Sequence, residues 1–548
     1  MKKWIILFLV FISINSISQN PLLLKDVVPG NNTGTIQQIV KTSNYTFFNE
    51  NDGGASTDRS LYRTDGTPAG TIKLNLSYPG YISTKADKLT ALGNKVIFAG
   101  DNIAFYGEIW ASDGTQAGTV ALERFQPISN RTPVVEISAM GSYAYYSVIN
   151  KDAGGINRAY LKRTDGTAAG TSLIYDFSSF TGVPEVVFLT PVNNILYFIV
   201  YDAGGTGVDQ LWRSDGTNAG TYMVYNFTTA NFVESYIMPA GNNMYIMIGS
   251  IVGGVRQNTI WKSDGSAAGT VPVKFVGTGN TNLYPAFAAI GSTLYFAGAD
   301  GNGKELWKTD GTAAGTFMAA DINSGGGNSV PSFLTAFNNN LFFAAENPTY
   351  GGELWKYDGS VATLVKDINP GNAASVPQGF VVSGNSLIFS AFNNTSGREL
   401  WITDGTSANT IMIADINPGA NNSSPNIFTP GNPVYFAANN GINGVEVFKY
   451  DNNGDAIGGP NKFYVNDNST TGDLLTLGVG SNSNNGSKLY PFATISYAVT
   501  QTTEGDTIYV DAGTYAEQIT IDKGLTIIGA GQNLTSIINP GSPLVSPP

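Results

Sequence analysis

Histidine and cysteine are both absent from the 548 residues, and each absence closes off chemistry. Without His there is no Ser-His-Asp or Cys-His arrangement and no imidazole base near neutral pH. The commonest transition-metal ligand is missing too. Without Cys there is no disulfide, thiol nucleophile, thiolate metal site or N-terminal lipid-anchoring thiol. Carboxylates, Lys, Tyr and Arg are what remains for catalysis. Carboxylate pairs do support glycoside hydrolysis, so enzyme activity is narrowed rather than excluded, and the composition leans against it. Positive charge is scarce: 29 Lys and Arg against 41 Asp and Glu give a net charge of −12. A nucleic-acid footprint is therefore not expected.

Long apolar runs are also rare. The one at Trp4–Ile14 follows the basic start Met1-Lys2-Lys3 and precedes the small residues Ser16-Ile17-Ser18. This is the plan of a secretory signal, residues 1–18, with cleavage expected after Ser18. The run is short for a membrane span. The mature chain is expected outside the cytoplasm or at a bacterial cell surface, with no transmembrane segment.

What the chain does have is a repeat, which decides the fold. Lys304-Glu305-Leu306-Trp307-Lys308-Thr309-Asp310-Gly311-Thr312 recurs with small changes, its Asp falling at Asp65, Asp113, Asp165, Asp215, Asp264, Asp310, Asp358 and Asp404. A degenerate ninth copy ends at Asp451, and the intervals run from 46 to 52 residues. One unit reads as four short strands; around Asp310 these are 286–290, 293–299, 305–309 and 316–322. Gly, Asn, Asp and Ser bound them and no helical period appears, so the expected fold is all-β. Four strands in a unit of this length make a propeller blade.

The ends of the repeat predict closure. Leu22–Gly30 matches Thr363–Gly371, the fourth strand of a unit, while the last unit lacks its fourth strand. The N-terminal strand is thus expected to complete the last of about nine blades over residues 19–455 and leave no open edge. An open solenoid or a split into two modules is the alternative.

Each recurrent residue has a structural and a functional reading. Asp-Gly between two strands is a turn signal, with the Asp accepting from backbone N–H groups ahead of it. Gly315 and its equivalents are expected to supply a positive φ. Repeated Asp could instead hold Ca²⁺, yet no copy has the Asp-x-Asp-x-Asp-Gly loop with its distant Glu. Turn formation is the stronger reading, and Ca²⁺ the one cofactor left open. Trp110, Trp212, Trp261, Trp307, Trp355 and Trp401 each lie three residues before a repeat Asp. One aromatic per blade points to packing between blades; stacking on sugars is the sharper alternative. Glu108, Asp209, Glu305, Glu353, Glu399 and Glu446 begin the same strand and are expected to form a rim of carboxylates, for binding or decoration. Polar loops of varying length precede them, where binding usually lives.

After residues 456–462, a linker, the pattern changes. Phe463–Asp467, Asp506–Val510, Gly513–Tyr515 and Glu517–Gly531 read as short strands with tight turns, and Tyr490–Val499 as a helical cap. Residues 463–548 are expected to form the opening rungs of a parallel β-helix.

The repeat resembles the secreted bacterial family named for its Glu-Leu-Trp-x-x-Asp-Gly-Thr motif, over roughly residues 20–455. The C-terminal stretch looks like the cap and first rungs of pectin-lyase-like right-handed β-helix proteins. Enzymes of that group place their acids on later rungs, so no catalytic role passes to Asp506, Asp511, Glu517 or Asp522. A complete β-helix needs more rungs to bury its core, and the chain reads as part of a longer protein. These readings converge on a secreted, non-catalytic scaffold whose propeller loops recognise an extracellular glycan or protein. A targeting portion of a polysaccharide-active enzyme and a calcium-dependent adhesin are the rivals.

Overall fold

In a computed structural model, residues 21–538 are described except 30–33, 52–58, 79–80, 83–84, 102–106, 127–132, 153, 181, 202–208, 228–230, 234–236, 279–286, 453–461, 470–471, 477–478, 483–490, 503–506 and 532–533. The expected signal at 1–18, most of the linker, and Asp506 lie outside the described residues. Among the described residues no helix is long and apolar enough to cross a membrane. The chain divides into a repeat unit, Leu23–Ser383 with Leu387–Lys449, and a second unit that includes Tyr450–Pro548.

The repeat unit is a nine-blade β-propeller. Its seventh blade shows the plan: Ser332–Phe337, Asn340–Asn347, Gly351–Tyr357 and Ala362–Lys366 pair antiparallel in chain order. In the sixth, the strands are Phe287–Ile290, Thr293–Asp300, Gly303–Thr309 and Phe317–Ala320. These lie within a few residues of the sequence expectation. The second strands are buried almost throughout, as in Leu341, Phe342, Phe343, Ala344 and Ala345. Such a strand has a neighbouring blade on each face, so its sequence is a continuous apolar run rather than an alternating one.

The third strand pairs with the outer strand through a register shift placed just before the aromatic, at Leu211/Trp212, Leu306/Trp307, Leu354/Trp355 and Leu400/Trp401. A bulge at a fixed place adds local twist. The inner strands are irregular as well. Shifts at Asp87/Thr90, Val187/Thr190 and Ser332/Thr335 coincide with left-handed backbone at Lys88, Phe188 and Phe333. Side chains of the preceding blade cap these bulges: Gln38 accepts from Leu89 N–H at 2.9 Å, and Glu136 from Phe188 N–H at 2.6 Å.

The ninth sheet joins Val434–Asn439, Val445–Tyr450 and the N-terminal strand Leu22–Leu23. Leu24 N–H donates to the Val447 carbonyl at 3.0 Å.

In the second unit, Lys462–Val465, Thr507–Val510 and Thr526–Gly529 pair parallel, as do Gly513–Ala516 and Thr535–Ile538. A helix, Ile495–Gln501, begins at Thr494, whose side chain accepts from Tyr497 N–H. Glu517 accepts from Ile495 and Ser496 N–H, both at 2.8 Å. A carboxylate there satisfies amides that have no partner within the helix. Asp511 is buried and accepts from Leu474, Leu475 and Thr476 N–H. Both acids therefore serve the local backbone.

Candidate functional site

The repeat Asp side chains close their own turns. Asp310 Oδ1 accepts from Thr312 N–H at 2.8 Å and Thr312 Oγ1 at 2.7 Å, and Thr312 Oγ1 accepts in turn from Gly315 N–H at 2.9 Å. The same bonds recur at Asp65, Asp113, Asp165, Asp215 and, with Ser266 for Thr, at Asp264. Asp404 bonds Thr406, and Asp358 bonds Ser360 and Val361. The hydroxyl bond to Thr312 leads the effects that hold the Asp310 carboxyl below its ordinary range. Among the described residues no group of three or more acids is placed to hold a metal ion.

The role expected of Gly315 is corrected. The left-handed residue of this turn is Gly311, at φ +88°, whereas a Cβ on Gly315 would lie 2.1 Å from the Asp310 carboxylate. Gly315 is there for close approach rather than for φ.

All six repeat Trp side chains are buried, from 0% exposed at Trp110 to 9% at Trp261. Trp212 packs with Tyr145, Ile149 and Leu161 of the preceding blade, and Trp355 with Tyr295 and Leu306. They form the seams between blades, and none presents a face for stacking on a sugar.

The expected rim of carboxylates is also corrected. Glu108, Glu305, Glu353, Glu399 and Glu446 are at most 1% exposed. Each binds its own blade or the loop leading onward. Glu353 accepts from Ile368, Asn369 and Ser375 N–H and from Ser375 Oγ at 2.6 Å. Glu305 does the same with Ile322, Asn323 and Ser329, and Glu399 with Ile416 and Ser423. Glu108 instead accepts from the Trp110 indole N–H at 2.9 Å and lies 3.7 Å from Arg124. Burial pushes Glu353 and Glu399 up to about 7 against these donors. Asp209 is half-buried, and its carbonyl accepts from Phe227 N–H.

Two further devices carried no obvious mark in the sequence. Basic side chains reach the Gly carbonyl of the next blade's Asp-Gly turn: Arg63 to Gly114 at 3.1 Å, Lys95 to Gly166 and Arg163 to Gly216, both at 2.9 Å. The second is a cavity of about 600 Å³ lined by Ile39–Ser43 of the first blade, Gly93 of the second and Phe428–Pro430 of the ninth. It sits where the inner strands turn into the second strands. Phe428 is held in place: its ring stacks on Phe436 at 5.7 Å, and a Cβ on Gly379 would come within 2.8 Å of it. Lys41 Nζ, at the edge, donates to the carbonyls of Asn432 at 3.2 Å and Pro433 at 3.4 Å. An apolar wall beside an ammonium suits a ligand that is apolar at one end and anionic at the other.

No family model and no curated protein matches the chain. Among solved structures, puromycin hydrolase is similar at 12% identity and a TM-score of 0.34 over 68% of this chain and 62% of that one. One of two prolyl endopeptidases is similar at 15% identity and a TM-score of 0.36, over 59% of this chain and 45% of that one. The propeller domain of the Trilobed protease from Pyrococcus furiosus is similar at 10% identity and a TM-score of 0.33, over 70% of this chain and 98% of that one. The chain thus spans under two thirds of the first two. Likeness at these identities and TM-scores assigns no activity to this chain, whose propeller stands on its own strand pairing. The expectation of a non-catalytic scaffold is corrected: the solved structures similar to the chain are of hydrolytic enzymes and a protease domain. That reading is dropped.

Proposed function

We propose that the propeller is the substrate-handling part of a peptide-processing activity, taking a peptide by its carboxyl-terminal end at the cavity between the first and ninth blades. The observation that carries this reading is the cavity's chemistry. Ile39, Val40 and Phe428 form an apolar wall, and Lys41 is the charged member of the lining. Its volume lies within the roughly 300–1,000 Å³ of small-ligand sites. An apolar terminal side chain would sit against the wall and its carboxylate beside Lys41 Nζ. These 548 residues hold no His or Cys, so they supply no imidazole or thiol for bond cleavage.

The test is fluorescence anisotropy with a labelled peptide ending in Leu, as free acid and as amide. The acid should bind about tenfold tighter, a difference of about 1.4 kcal/mol. Lys41→Ala should remove that preference, and Phe428→Ala should weaken both forms. Absence of saturable binding would sink the reading.

Three finer readings belong with it. The Leu24–Val447 hydrogen bond supports the N-terminal strand as the clasp that closes the ring. The parallel pairings of the second unit support an incipient β-helix. The basic and apolar start of the chain supports export across a bacterial membrane.

A further inference from the structure

Where the N-terminal strand meets the ninth blade, a donor present in neighbouring blades is missing. In the seventh and eighth blades the Ser eight residues beyond the loop Asp (Ser375 after Asp367, Ser423 after Asp415) gives its hydroxyl to the buried Glu at 2.6 Å. The place eight residues beyond Asp26 is held by Gly34. Glu446 Oε1 accepts from Val27 and Val28 N–H, both at 3.2 Å, and Asp26 Oδ2 accepts from Asn443 Nδ2 at 2.8 Å. The remaining oxygens, Glu446 Oε2 and Asp26 Oδ1, are buried, no N–H or O–H among the described residues donates to them, and the two carboxyl groups face each other. Glu446 is 1% exposed. Two acceptors set face to face away from water need a proton between them.

We propose that a proton held by Glu446 bridges to Asp26 across this seam, and that its loss from Glu446 to water as the pH rises releases the N-terminal strand from the ninth blade. The inference rests on the clasp reading above and goes beyond it. The groups acting on Glu446 are consistent with it. Burial, first, and then Asp26 push the Glu446 carboxyl up to about 7, against the Val27 and Val28 amides. The nearby cations are engaged elsewhere: Lys25 Nζ donates to Thr71 O at 3.0 Å, Lys41 bonds Asn432 and Pro433, and Lys449 lies against Gly66. Glu50 of the first blade adds a further acid beside Gly34. A carboxyl raised in the folded state binds its proton more tightly there than in the open chain. The stabilisation is full below the ordinary value of 4.5 and is lost as pH rises through about 7.

Hydrogen exchange of the full chain, read on peptides spanning residues 21–29 and corrected for intrinsic rates, tests this. Protection should fall by about tenfold per pH unit between about pH 5 and 7, then level off. Asp26→Asn places an amide donor against Glu446 Oε2 and should give protection independent of pH; Glu446→Gln should do so from the other side. Peptides over 368–376 report whether each variant has folded. Protection that is high but flat with pH in the native chain overturns proton sharing, as does an Asp26→Asn variant with the native slope. A 21–29 segment unprotected at every pH would instead overturn the clasp itself.

Discussion

Replacing Glu353 is the sharpest probe of how the blades are tied together. Its two oxygens satisfy three backbone amides and one hydroxyl, in a loop 15 to 22 residues further along the chain. Glu353→Ala leaves those donors inside the protein without an acceptor. A buried group stripped of its partner costs about 1–3 kcal/mol, and partial access of water keeps the total near 3–5 kcal/mol. Glu353→Gln keeps the shape and one acceptor but turns an amide group toward remaining donors, for about 1–2 kcal/mol. Urea unfolding followed by fluorescence of Trp355, two residues away, should show Ala well below Gln and Gln below native. Exchange at residues 368–376 should lose protection in the same order. A Glu353→Ala protein within about 0.5 kcal/mol of native, with the loop still protected, would refute the idea that this carboxylate organises the loop.

Stability should also follow pH in a definite direction. Burial pushes Glu353, Glu399 and Glu446 up to about 7 from an ordinary value of 4.5, so their contribution falls as pH rises through that window. The turn carboxyls are held low, Asp358 at about 2 by the Val361 and Ser360 amides, and their contribution falls as pH drops below 3.8. The melting temperature should therefore peak near about pH 5 and decline toward pH 8; a steady rise over that range would contradict it. Gly315→Ala should cost about 1–3 kcal/mol by driving a methyl into the Asp310 carboxylate, measurable as a drop in urea midpoint. Trp355→Ala opens the seam between the sixth and seventh blades and should cost about 3–5 kcal/mol; an unchanged midpoint would mean the seam is not held by the indole.

The propeller was legible because its repeat carries its own geometry. Asp-Gly-Thr encodes a turn closed by bonds two residues long, and a Trp at a fixed distance from it lands in the seam between blades. The carboxylates were misread because the position of Glu353 in its strand says nothing of a loop that wraps back over it. A signal was present: Ser329, Ser375 and Ser423 each stand two residues before a Pro, at 22 to 24 residues beyond the Glu they bind. A serine locked to the repeat, inside a loop, is what a buried acid requires. The cavity left no such mark. Ile39–Ser43 and Phe428–Pro430 lie nearly 400 residues apart, and only the meeting of first and last blades brings them together.

The measurement that tests the central claim most directly is photo-crosslinking. A peptide ending in a free carboxylate and carrying a photoreactive apolar residue at its last position would be irradiated with the full chain and the adducts mapped by mass spectrometry. The account predicts adducts confined to residues 39–43 and 428–430, competed away by the unlabelled acid and lost in Phe428→Ala. Adducts spread over the polar loops, or unaffected by that substitution, would contradict it.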